Sequence, residues 1–266
     1  MSARAPIGVF DSGFGGLTVA RSIVDLLPHE DMVYLGDTAR APYGPRPIAE
    51  VREYALQCLD RLVAHGVKLL VIACNTASAA VLRDARERYD VPIVEVVLPA
   101  ARRAAATTRN QRVGVICTRA TATSRAYDDA LAVAPQISLT TQVCPRFVEF
   151  VEAGITGGDE LLSVARDYLA PVQAAGVDTL ILGCTHYPLL SGVINYVLRG
   201  SVSLVSSATE TAEQAYAALA AADLLSEAGR PAQRLFLTTG DEERFSGIAS
   251  RLTGGFVDEV IRVHIG

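Results

Sequence analysis

Tryptophan is absent from this 266-residue chain, methionine occurs twice, and Lys68 is the only lysine among 24 basic residues. A Schiff base of the pyridoxal type therefore has one candidate lysine, placed at the start of a buried-strand pattern and away from its polar end. The five cysteines, at 58, 74, 117, 144 and 184, are odd in number and include no CxxC pair. That argues against a disulfide framework and against a structural zinc site, so reduced thiols and no metal are expected. No apolar run approaches the roughly 18 residues of a membrane span, and MSARAPIGVF lacks a signal-peptide stretch. The expectation is a cytoplasmic protein with no membrane partner. The net charge of −5 comes without a basic run, which leaves nucleic acid without an electrostatic footprint.

What the chain does contain is one stretch that occurs twice. HGVKLLVIACNTAS begins at His65 and AGVDTLILGCTHYP at Ala175. In each, a Gly-Val pair leads into a short apolar run that ends on a cysteine, Cys74 or Cys184, followed by hydrogen-bonding residues. Such a run reads as a buried strand whose C-terminal end opens into a loop, the place where open α/β sheets bind ligands. A second pair, IGVFDSGFGG at Ile7 and VGVICTRATA at Val113, is offset by nearly the same shift. At this length two small domains are affordable in buried core, so the pattern predicts two similar α/β lobes with mostly parallel sheets facing each other across a cleft.

Between these landmarks, the turn Asp11-Ser12-Gly13-Phe14-Gly15-Gly16 precedes an amphipathic helix and offers free N–H groups at a helix N-terminus. GxGxxG is not met and a carboxylate stands at the mouth, which favours a small carboxylate ligand over a nucleotide phosphate. Met32 to Leu35 reads as a strand leading to a stiff loop, Ala41-Pro42-Tyr43-Gly44-Pro45. Helices are expected at 78–89 and 209–225, and strands at 93–97, 138–143, 235–238 and 260–264. Pro99 marks a crossing between lobes, and Gly229-Arg230-Pro231 a turn. Cys58 lies on an apolar helix stripe and Cys117 and Cys144 have no repeated counterpart, so all three read as buried thiols. His29, His65 and His264 read as structural or solvated. By spacing alone Glu152 is a solvated helix charge.

Two thiols at matching positions in facing lobes suit a reaction in which a proton leaves one face of a carbon and returns to the other. A free thiol has a pKa of about 8.5, within reach of the thiolate near neutral pH, and the opposite thiol then serves as donor. One cysteine would suffice for nucleophilic catalysis, so a single-thiol hydrolase or amidase is the alternative of a different class.

The motifs FDSGFGGLTV, LGDTARAPYG, ACNTAS and GCTHYPLL occur in an order that resembles the glutamate racemases of the cofactor-independent aspartate/glutamate racemase superfamily. The resemblance implies two flavodoxin-like lobes, residues 1–98 with 208–266 and residues 99–207, and commonly a homodimer. It implies interconversion of L- and D-glutamate without cofactor, supplying D-glutamate for peptidoglycan synthesis. Cys74 and Cys184 match the two catalytic bases, with Asp11 assisting the first, His186 the second, and Glu152 an acid near the second. Asp11-Ser12, Pro42-Tyr43-Gly44, Asn75-Thr76 and Thr185-His186 match the segments that bind the amino acid, and Thr118 and Thr121 match hydroxyls near its carboxylate. Asp37 matches a family acid without an assigned direct role. Cys117 and Ala120 depart from the small residues common there. Aspartate racemase shares the paired thiols, and some relatives bind DNA gyrase, so both a shorter substrate and a protein partner stand as alternatives.

Overall fold

The central strands of each sheet are largely apolar and buried, as strands covered on both faces by helices must be. IGVFD and TLILG are buried at every position. The computed structural model describes residues 2–227, 229, 231–257 and 259–265; Arg230, in the expected turn, lies outside them. In chain order the elements are β1 (Ile7–Asp11), α1 (Leu17–Leu26), β2 (Met32–Gly36), α2 (Ile48–Ala64), β3 (Leu69–Ile72), α3 (Asn75–Arg88), β4 (Ile93–Glu95) and α4 (Val97–Thr107). There follow β5 (Arg112–Cys117), α5 (Arg119–Ser124), α6 (Ala126–Leu131), β6 (Ser138–Val143), α7 (Arg146–Glu152), α8 (Asp159–Ala174) and β7 (Thr179–Gly183). A 3₁₀ turn at Tyr187–Leu190 leads to α9 (Ser191–Val197), β8 (Ser203–Ser206), α10 (Ser207–Ala221), β9 (Arg234–Thr238), α11 (Glu242–Thr253) and β10 (Val260–Arg262).

Two parallel sheets result. One has the order β10-β9-β2-β1-β3-β4 and the other β6-β5-β7-β8. The repeat seen in the sequence is thus a repeat in space: β1 beside β3 in one sheet corresponds to β5 beside β7 in the other. Helix α4, with Pro99 in its first turn where a missing N–H costs nothing, carries the chain from the first sheet to the second. After β8 the chain returns, and β9 pairs with β2 to extend the first sheet. Each sheet has an apolar cluster on either face, built in the first lobe around Leu17, Ile23, Tyr34 and Phe245 and around Val51, Leu59 and Leu70. In the second, Phe147, Leu169 and Tyr187 fill one face and Ala100, Val115 and Tyr127 the other.

The strand expected over 260–264 stops at Arg262, and three further expected boundaries move for local reasons. Helix α3 begins at Asn75 and not near Ser78, because the Cys74 thiol itself caps it, accepting from the Ala77 N–H at 3.4 Å. The strand expected over 93–97 stops at Glu95, whose carboxylate accepts the N–H groups of Val97 and Leu98 at 2.6 and 2.8 Å and so starts α4. Helix α10 ends at Ala221, short of Leu225, where Asp223 takes a left-handed φ of 55°. Lys68 is fully buried: its Nζ pairs with Glu30 at 2.5 Å and donates to the carbonyls of Leu224, at 2.8 Å, and Ala3. It ties the chain's start and its returning segment to the N-terminal end of β3. No helix among the described residues is long and apolar enough to cross a membrane.

Candidate active site

In each lobe the C-terminal strand ends face the other lobe, and the site is assembled there. Cys74 follows β3 and is 6% exposed. Its Sγ lies 3.2 Å from the Ser12 hydroxyl, which sits on the turn after β1. Below Ser12, Asp11 is fully buried; its Oδ2 accepts the Gly13 N–H at 2.9 Å, while Oδ1 has no partner. Burial pushes the Asp11 carboxyl up, partly offset by the charge of His186 and by backbone N–H groups. The Cys74 thiol is pushed up to about 12, first by burial and then by the Asp11 carboxylate, against the pull of Ser12 and the Ala77 N–H.

The second wall mirrors the first. Cys184 follows β7 and is 7% exposed, with Sγ 3.7 Å from Nδ1 of His186. His186 Nε2 stands 3.4 Å from Glu152 Oε1 at the end of α7, an ion-pair contact that is not aligned as a hydrogen bond. Burial alone would lower the His186 pKa, but Cys184, Glu152 and Asp11 beside it outweigh burial and bring it up to about 10. These neighbours hold the imidazole toward its protonated form.

Hydroxyls close the floor between the lobes. Thr76 Oγ1, on α3, lies 2.9 Å from Thr118 Oγ1 and 3.2 Å from Thr121 Oγ1, both of the second lobe. Asn75 donates from Nδ2 to the Tyr127 hydroxyl at 2.9 Å, and its buried Oδ1 has no partner. Four buried side-chain polar atoms among the described residues lack a partner, and three of them, on Asp11, Asn75 and His186, are here. An unpaired buried polar atom costs about 1–3 kcal/mol, and Asn75, which lines the cavity, offers its Oδ1 as an acceptor there.

The cavity between the walls holds about 180 Å³, below the roughly 300–1,000 Å³ of drug-sized pockets, so its occupant is small. Of the residues singled out in the sequence, Ser12, Pro42, Tyr43, Gly44, Cys74, Asn75, Thr76, Thr118, Glu152, Cys184, Thr185 and His186 line it. Asp11 and Thr121 stand behind the lining and touch the residues that form it. Asp37 is fully buried under the loop that carries Tyr43. The sequence reading passed over Arg119, Val148 and Glu149, which also line the cavity. Glu149 was legible in principle, since it precedes Glu152 by three residues and shares its helix face.

The sequence and the fold have close counterparts among known proteins. A model of the Asp/Glu/hydantoin racemase family matches residues 7–215. The glutamate racemase of Beutenbergia cavernae is 61% identical over 96% of this chain and 92% of its own. That of a Parafrankia species is 64% identical over 94% of this chain and 91% of its own. Among solved structures, a glutamate racemase isoform from Bacillus anthracis superposes with a TM-score of 0.92 at 36% identity, covering 99% of this chain and 98% of the other. The Thermus thermophilus glutamate racemase in complex with β-chloro-D-alanine gives 0.90 at 45%, covering 100% and 99%. Likeness of this extent, in sequence and in fold, places the chain in the Asp/Glu/hydantoin racemase family as a racemase of the glutamate racemase group.

Proposed function

We propose that the chain interconverts L- and D-glutamate by proton transfer between the substrate α carbon and two cysteines, Cys74 and Cys184, one on each face. The observation that carries this reading is the pair of thiols at equivalent strand ends of two lobes, both opening on one small cavity. One sulfur as thiolate takes the α proton while the opposite thiol gives its own to the carbanion, so the product differs from the substrate only in configuration. Burial pushes the Cys74 thiol up to about 12, which favours its protonated form, and His186, held toward its protonated form, lies beside Cys184. That arrangement begins with a donor on the first-lobe side and a positive charge to balance a thiolate on the other.

The remaining residues take roles that follow from their chemistry. Ser12, Asn75, Thr76, Thr118 and Thr185 offer hydroxyl and amide groups to an amino acid, and Asn75 Oδ1 is a free acceptor for its ammonium. Asp11 and Glu152 act through Cys74 and His186 and hold the charge balance of the two walls. An electron sink of the pyridoxal kind has no lysine to use, because Lys68 is locked to Glu30 at the far end of β3. Preorganised donors in the cavity between the lobes must stabilise the carbanion instead. On this reading the division into residues 1–98 with 208–266 and residues 99–207 is the pair of walls. The product serves peptidoglycan synthesis, and the enzyme works as a cytoplasmic homodimer. The test is incubation of the purified protein with L-glutamate in heavy water, without added cofactor. Optical rotation is expected to decay to zero with one deuterium gained per inversion at the α carbon. Absence of α exchange, or a requirement for pyridoxal phosphate, would overturn the reading.

A further inference from the structure

The loop that brings Tyr43 and Gly44 to the cavity is held from below by the returning C-terminal segment. Asp37, just after β2, is fully buried and uses both carboxylate oxygens. Oδ2 accepts Arg40 Nε at 2.7 Å and the Tyr43 hydroxyl. Oδ1 accepts the hydroxyl of Thr239 at 2.7 Å, the residue just after β9. The Thr239 hydroxyl has its own acceptor lone pair filled by the Ala39 N–H at 3.0 Å, so this one side chain fixes both the carboxylate and the backbone two residues on. The neighbouring hydroxyls of Thr38 and Thr238 meet at 2.6 Å. Arg40 is held in turn by Gln57 at 2.5 Å and by the face of Tyr54, 4.3 Å from its centroid.

At its other end the loop touches the second lobe. Gly44 accepts the Ala120 N–H at 3.0 Å, and it packs so closely on Thr118 that an added Cβ would stand 3.0 Å from Thr118 Cβ. A displacement of Tyr43 therefore reaches the hydroxyl floor of the cavity. We infer that Thr239 is a positioning residue, which through Asp37 and Tyr43 presets the Tyr43-Gly44 segment for the substrate. It touches neither the reacting atoms nor the cavity lining. Its effect is on how often the free protein already has the binding-competent loop.

The inference rests on the glutamate racemase reading, and its test separates the two. Wild-type turnover of glutamate checks the reading; the Thr239 variants check the inference. Thr239→Val keeps the shape and removes the hydroxyl, leaving Asp37 Oδ1 and the Ala39 N–H unpaired. The KM for glutamate and its calorimetric Kd are expected to rise by about tenfold, with kcat within about twofold of wild type, and Thr239→Ser is expected to restore both. A purely structural role would lower the melting temperature and leave KM and Kd of the folded fraction unchanged. That result, or a Thr239→Ser variant as impaired as Thr239→Val, would overturn the inference. If Thr239→Val does not fold, Thr38→Val loosens the same junction, and the same KM and Kd readouts decide.

Discussion

His186 carries the most electrostatic consequence of any residue in the site. In the unfolded chain it titrates near 6.5, and in the folded protein near 10, so the folded state holds the proton more tightly between those values. Its contribution to stability is complete below about pH 6.5 and is lost as pH rises toward 10. The buried thiols shift in the same sense, but only from their unfolded value near 9.0 upward, while burial lowers His65 and works in the opposite sense near pH 6.5, so the part due to His186 is the difference between wild type and His186→Asn over about pH 6.5 to 8. Urea unfolding is expected to show wild-type stability falling by about 1–2 kcal/mol across that interval. The slope should be largely absent in His186→Asn. An equal slope in the variant would mean that Cys184 and Glu152 do not hold the imidazole as a cation.

At the scale of elements, the two lobes approach most closely where a glycine turn of one meets the cysteine loop of the other. The turn between β1 and α1 lies against the Cys184 loop: Thr18 donates to the Thr185 carbonyl at 3.4 Å, and a Cβ on Gly15 would stand 2.3 Å from Thr185 Oγ1 and 2.6 Å from His186 Nδ1. Only glycine allows that approach. Gly15→Ala must push the walls apart or turn the imidazole, and kcat/KM for glutamate is expected to fall at least about tenfold, with a melting temperature a few degrees lower. Near wild-type turnover would show that the lobes are not in close register there. The strand ends that carry the thiols were plain in the sequence, since two apolar runs closing on Cys and polar residues repeat at one offset. The origin of α3 was not, because a cysteine is an unusual cap and its reach to the Ala77 N–H is visible only in space. The pairing of β9 with β2 was equally hidden: a short strand such as RLFLT does not say which sheet edge it joins. For the same reason Thr239, beneath the Tyr43 loop, carries no sequence signal, while Ser12, Asn75 and Thr185 could be read because they adjoin the repeated motifs.

Over the whole molecule the net charge is −5, yet the proposed substrate is itself an anion, so the cavity mouth must offset the general repulsion. Of the described residues lining the cavity, Arg119 and His186 are the cationic ones, and Arg119 is exposed. Arg119→Gln is expected to lower kcat/KM for glutamate more at low than at high salt, since screening removes the attraction that the arginine supplies. Salt curves that run parallel would remove Arg119 from substrate capture. The pairing of two lobes around one cavity has a sharper consequence, because each sulfur serves one face of the α carbon. Replacing either cysteine by serine leaves a far weaker base on that side, and racemisation must use both sides. With a β-chloro amino acid, abstraction at a single face is enough for loss of chloride, so each variant keeps a partial reaction. The decisive measurement sets racemisation of glutamate beside elimination from each enantiomer of β-chloroalanine in Cys74→Ser and Cys184→Ser. The two-base account predicts racemisation lower by ~10²–10⁴ in both variants, with elimination kept for one enantiomer only and the opposite enantiomer in each. Near wild-type racemisation in either variant, or the same enantiomer preference in both, would contradict it.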